Sequence, residues 1–259
     1  MDELAREWVR GATWLVERAA EAAAAAEDPM AVLEEARRLR PGMGSLDMLY
    51  IAVREAVESG VEPRRTAARF LEYIQKAKAE LDKRLASLKC PPAVATISLS
   101  RAVARLLELC GVEVVYLMES RPGVEFRQAY VQYSKFARVV PIPDSAVGAV
   151  DFHWAVSGLD GLYLDYGTNK VGTLPLFTTA EAKGASIYVV FESYKVAPIH
   201  TPPLAKVRYW IGDVEVEVPL FDKIPHRLLK NLVTDLGTYA DSKEVLKAAV
   251  EKIFNYIRG

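Results

Sequence analysis

Two consecutive prolines, Pro91 and Pro92, follow Cys90 and divide the chain more firmly than any other feature. Neither is tolerated inside a helix, and together they stiffen the connection they occupy, so the element before them must stop there. On the N-terminal side, residues 2–88 carry apolar positions at helical spacing. Leu4, Trp8, Ala12, Leu15, Val16 and Ala19 come first, then an alanine run from Ala22 to Ala26. Asp28 before Pro29 is a cap followed by a first helical position, opening a helix that ends near Arg40-Pro41-Gly42. Helices over 45–59 and 63–88, joined at Ser59-Gly60-Val61-Glu62, complete a bundle of four.

After the prolines the pattern changes. Segments 93–97, 112–118, 138–142, 162–164 and 187–191 read as strands, and 99–109, 123–134, 145–150 and 178–184 as helices. That alternation predicts an α/β fold with a parallel sheet covered on both faces. Residues 207–210 and 214–218 form a hairpin across Ile211-Gly212-Asp213, and helices are expected over 225–236 and from Asp241-Ser242-Lys243-Glu244 to about residue 256. The expected division is a helical N-terminal domain, 1–90, and a sheet domain, 91–259.

Several function classes fall away. With 33 basic and 34 acidic residues there is no bulk charge to attract nucleic acid or an anionic membrane, so neither is expected as a direct partner. The acidic N-terminus and the lack of an apolar run of ~20 residues predict a cytoplasmic protein. Cys90 and Cys110 lack metal-ligand spacing and read as thiols in a reducing compartment, a disulfide between them being the alternative. His153, His200 and His226 share no metal spacing, and no glycine-rich phosphate loop opens a helix, so neither a metal nor a cofactor is expected. Scarce Asn and Gln beside abundant Glu, Arg and Lys suggest a thermophile.

The chemistry concentrates in residues 157–173. Asp160 precedes a short apolar segment, and the following loop offers Gly167, Thr168, Asn169, Lys170, Gly172 and Thr173, a set able to hold an anion or to cap its own turn. In an open parallel sheet, ligands bind beyond the carboxyl ends of the strands. Ser98, Ser100 and Arg101 fall after the first strand, Glu119 and Arg121 after the second, Asp144 and Ser145 after the third. Asn169 and Lys170 lie beyond the fourth, and Glu192 and Lys195 after the fifth. Singly these are caps or ion pairs; together they imply a pocket. In the helical half, Gly11 within a helix marks a close approach or a helix crossing, and Arg40 meets either a helix dipole or a ligand.

The motif series Arg10-Gly11-Ala12, Arg40-Pro41, Glu119-Ser120-Arg121-Pro122 with Glu125, Asp144-Ser145-Ala146, Gly158-Leu159-Asp160 and Asn169-Lys170-Val171-Gly172-Thr173 resembles a known family. It unites the alpha, beta and delta subunits of translation initiation factor 2B with methylthioribose-1-phosphate isomerase and archaeal ribose-1,5-bisphosphate isomerase. The resemblance implies a helical bundle followed by a Rossmann-like parallel-sheet domain, assembled as a homodimer or higher homo-oligomer, with a translation factor as a further partner. It assigns Asp160 to the catalytic aspartate. Arg10, Gly11, Arg40, Ser98, Ser100, Arg121, Glu125, Asn169 and Lys170 are the implied contacts to a phosphorylated sugar or nucleotide. Ser98 stands where the isomerases carry a cysteine, and Phe126 where the family usually has glycine. The resemblance therefore implies a regulatory, ligand-binding member without isomerase activity. The alternative is an aldose-ketose isomerase acting on ribose 1,5-bisphosphate or methylthioribose 1-phosphate through Asp160.

Overall fold

A computed structural model describes residues 11–258. The helical half comprises α1 (Ala12–Ala25), α2 (Pro29–Leu39), α3 (Gly44–Glu58) and α4 (Pro63–Leu85). Capping follows the sequence: the Asp28 carboxylate accepts from the Ala31 N–H at 3.1 Å, and Glu62 accepts from the amides of Arg64 and Arg65. Leu15, Val16, Ala19 and Ala23 of α1 are buried with Leu33, Leu49, Phe70 and Ile74, the small alanines letting the helices approach closely. This core also takes in Tyr194, Phe221, Ile253 and Ile257 from the C-terminal half. Gly11 is not within a helix: it is the extended N-cap of α1, and its carbonyl accepts from the Trp14 N–H at 3.1 Å. Arg10, Leu4 and Trp8 lie outside the described residues.

The C-terminal half is built on a seven-stranded sheet in the order β12-β11-β7-β4-β1-β2-β3. Its strands are β1 (Ala93–Thr96), β2 (Val114–Met118), β3 (Arg138–Ile142), β4 (Trp154–Ser157), β7 (Ser186–Val190), β11 (Leu232–Val233) and β12 (Thr238–Tyr239). All neighbours are parallel except β11 and β12. Helices α5 (Arg101–Cys110), α6 (Phe126–Tyr133), α7 (Thr173–Lys183) and α8 (Ser242–Arg258) accompany it. Ala95 of β1 pairs with Tyr116 of β2 on one side and Ala155 of β4 on the other, so strand order reverses between β1 and β4. Connections leaving these two strands diverge, and a crevice opens beyond their carboxyl ends.

Three expectations are corrected. The fourth parallel strand is β4, not 162–164. Gly161–Leu162 forms β5 of a separate antiparallel sheet with β6 (Tyr166–Lys170) and β10 (Phe221–Pro225), so Asn169 and Lys170 lie on a strand. Residues 225–236 are not one helix: after β10 come a single turn, His226–Leu228, and β11. Leu228, Leu229, Leu232 and Val233 are all buried, and a continuous apolar run suits a covered strand as well as a helix. Cys90 and Cys110 form a disulfide. α5 runs back antiparallel to β1, so its last residue meets the segment that enters the strand, and the Cys90 N–H donates to the Cys110 carbonyl at 3.2 Å. The thiol argument for a reducing compartment falls with it. The expected hairpin is present as β8 (Lys206–Ile211) and β9 (Val214–Pro219). Among the described residues no helix is long and apolar enough to cross a membrane.

Candidate functional site

The crevice holds a cavity of about 570 Å³. Its floor comes from the segments leaving β1 and β4. Ser98, two residues past β1, sits in the left-handed backbone region at φ 64°, a conformation a serine adopts only when its surroundings hold it. Here they do: its N–H donates to Ser120 Oγ at 2.8 Å, and its carbonyl accepts from the Tyr133 hydroxyl at 2.9 Å. Its Oγ donates to Glu125 Oε1 at 2.8 Å. Ser100 caps α5 and lies so close to Gly158 that a Cβ there would fall 2.6 Å from Ser100 Oγ. Only glycine fits.

Asp160 follows on the β4 side. Its backbone is pinned at both ends, the N–H donating to the Thr168 carbonyl and the carbonyl accepting from the Gly44 N–H, each at 2.9 Å. A Cβ on Gly44 would lie 2.2 Å from the Lys195 carbonyl, so α3 reaches the site only because it begins with glycine. Burial raises the Asp160 carboxyl to about 6, against the opposing pull of Lys195 and Lys170. Asn169 reaches the floor from β6 and donates to Ser157 Oγ at 2.8 Å and to Thr173 Oγ1 at 2.9 Å.

Beyond β7, residues Ser193–Lys195 form a single turn that places Lys195 on the cavity wall. Glu192 beside it is fully buried, 3.0 Å from Lys195 Nζ and 3.3 Å from Arg101 Nε. Burial alone would raise this carboxyl, but the two cations outweigh it and hold it below the ordinary range. The turn is anchored from behind. The Ser193 N–H and hydroxyl donate to the Asp235 carboxylate at 2.6 and 2.8 Å, and Tyr73 of α4 lies 2.6 Å from the same hydroxyl. The outer wall is formed by Thr13, Trp14, Arg101, Arg105, Gln128 and Gln132.

The structure brings Gly11, Ser98, Ser100, Asp160 and Asn169 to this one cavity. Glu125 and Lys170 sit behind it as a buried ion pair, Nζ to Oε1 3.2 Å. Arg40 is buried and donates to the Leu39 carbonyl, and it is not among the described lining residues. Arg121 is directed to solvent in an ion pair with Glu119, while Asp144 accepts the amides of Ser120 and Arg121. The anion cradle expected over 167–173 is occupied by protein, since Asp222 Oδ2 accepts the amides of Gly172 and Leu174 at 2.8 Å each and caps α7. Thr13, Trp14, Lys78, Gln128 and Gln132 were not expected at the site. One signal existed: in a chain with three glutamines, two lie four apart on one helix and so share a face. Among the described residues no cluster of His, Cys, Asp and Glu is suited to a metal.

Known proteins share this architecture. A Pyrococcus furiosus protein named as eIF-2B subunit 2-like is 26% identical over 95% of this chain and 97% of its own length. The crystal structure of translation initiation factor eIF-2B from Pyrococcus horikoshii superposes with a TM-score of 0.82 at 25% identity, covering 94% of this chain and 96% of that one. The fold is shared further with 5-methylthioribose 1-phosphate isomerase of the same organism, at a TM-score of 0.69 and 18% identity over 98% of this chain and 86% of that one. Residues 55–241 match the model of the initiation factor 2 subunit family, and the chain belongs to that family.

Proposed function

We propose that this protein is an initiation-factor-2B-like regulatory member that holds a phosphorylated sugar or nucleotide without turning it over. The observation that carries the reading is the meeting of Ser98, Asp160, Asn169 and Lys195 in one cavity at the strand-order reversal; Lys78, Arg101 and Arg105 on its walls are paired with Glu17, Asp82 and Glu108 and would meet a phosphate by exchanging those partners. Loss of turnover rests on Ser98. A cysteine there would supply a group that ionises near neutral pH, whereas the serine proton is hydrogen-bonded to Glu125. The protein works as a homodimer or higher homo-oligomer, its two domains divided at residue 90, with a translation factor as partner.

A thermal-shift and calorimetric screen of phosphorylated sugars and nucleoside monophosphates tests binding, with a raised Tm expected for at least one class. Incubation with ribose 1,5-bisphosphate and with methylthioribose 1-phosphate tests catalysis, and no product is expected. Turnover that disappears in Asp160→Asn would replace this reading with that of an isomerase.

A further inference from the structure

The directions of the Ser98 and Asn169 hydrogen bonds on the cavity floor are set from behind. Ser98 has one hydroxyl proton, and it goes to Glu125. Glu125 is a carboxylate paired with Lys170, so it accepts and cannot donate in return. Turning the serine proton toward the cavity would cost a buried carboxylate oxygen its 2.8 Å hydrogen bond and leave it only the Lys170 ammonium at 3.2 Å. Ser98 Oγ therefore presents lone pairs to a ligand.

Asn169 is polarised in the same sense. Its Nδ2 faces the hydroxyls of Ser157 and Thr173. Those hydroxyls have already spent their own protons, Ser157 on the Gly158 carbonyl at 3.0 Å and Thr173 on the Lys170 carbonyl at 2.6 Å. Both can only accept from Asn169, which fixes the amide with its carbonyl oxygen turned away from them. The third group is Asp160, whose carboxylate receives no side-chain hydrogen bond from any described residue. Ser98, Asp160 and Asn169 all line the cavity, and all three offer acceptors.

We infer that this floor recognises a ligand through the hydroxyl protons of its sugar, with Ser98 as the specificity-determining residue and Glu125 as the residue that sets its polarity. The inference rests on the sugar-ligand reading above and adds the direction of the hydrogen bonds. A ribose 2-hydroxyl satisfies an acceptor that its 2-deoxy counterpart leaves dry and unpaired, and sites built to bind a hydroxyl reject analogues lacking it.

The test is calorimetric titration of the wild-type protein, Ser98→Ala and Glu125→Gln with ribose 5-phosphate, 2-deoxyribose 5-phosphate, AMP and 2′-deoxy-AMP. For whichever pair binds, the wild type is expected to prefer the hydroxylated member by about tenfold or more. Ser98→Ala is expected to bring the ratio to about twofold by weakening the hydroxylated member alone. Glu125→Gln, whose amide can donate to the serine, is expected to lower the ratio as well. Equal wild-type affinity for both members of a pair, or equal weakening of both in Ser98→Ala, would overturn the inference and leave the binding reading standing. No binding of any of the four would overturn the inference, and no binding across the wider screen above would overturn the binding reading as well.

Discussion

Glu119 and Glu125, at opposite ends of the segment joining β2 to α6, each hold one cation. Glu119 meets Arg121 at 2.6 Å with side chains 39% and 51% exposed, whereas Glu125 meets Lys170 at 3.2 Å with both side chains 8% exposed. The shorter contact is the weaker one, because water screens the outer pair and competes for its hydrogen bonds. The inner pair has already lost its hydration, so neither partner can be removed without stranding the other. Glu125 also lies behind Ser98 at the strand-order reversal, while Arg121 lies one strand outward and faces solvent. Two glutamates of one loop, each paired with a cation, thus differ in consequence through their place in the fold.

The largest effect is expected from Glu125→Ala, which leaves the Lys170 charge buried and uncompensated and should cost about 3–5 kcal/mol in urea unfolding. A loss below about 1 kcal/mol would break the comparison. Next comes the crosslink near the base of the same sheet. Replacing Cys90 and Cys110 with serine removes a loop closure across 20 residues and should cost about 3 kcal/mol while leaving ligand affinity unchanged.

Asp160→Asn should move stability the other way. The folded carboxyl is raised to about 6 from the ordinary 3.8, so the folded state favours its protonated form. The associated stability is present below about pH 4 and lost as pH rises through 6, and asparagine removes that loss. A gain on the order of 1–2 kcal/mol at pH 7, with a flatter stability profile between pH 4 and 6, is the expected result. An unchanged profile would mean that Asp160 is better solvated than its surroundings indicate. The smallest effect belongs to the outer pair: Arg121→Ala should stay within about 0.5 kcal/mol and leave ligand affinity untouched. A large fall in affinity would show that Arg121 reaches a bound ligand after all.

Much of this architecture was legible before any coordinates. The starts of α2 and α4 follow from Asp28-Pro29 and Glu62-Pro63, where a capping carboxylate and a ready-made φ coincide. β1, β2, β3 and β7 were marked by short apolar runs. β4 was not, because Trp-Ala-Val-Ser is four residues long and follows a polar stretch, so neither length nor alternation sets it apart. At the site, Ser98, Asp160 and Asn169 line one cavity, whereas Arg121, grouped with them through its neighbours in sequence, faces solvent.

The chain's own pattern determined most of the helices and strands and which residues carry chemistry, since periodicity, caps and prolines act over a few neighbours. What only the tertiary structure decided was direction. It set which side of the sheet β4 joins, which loop turns inward, that Cys110 returns to Cys90, and that the hydroxyls of Ser98, Ser157 and Thr173 donate to Glu125, the Gly158 carbonyl and the Lys170 carbonyl. These outcomes depend on contacts between residues far apart in sequence, whose partners only packing selects.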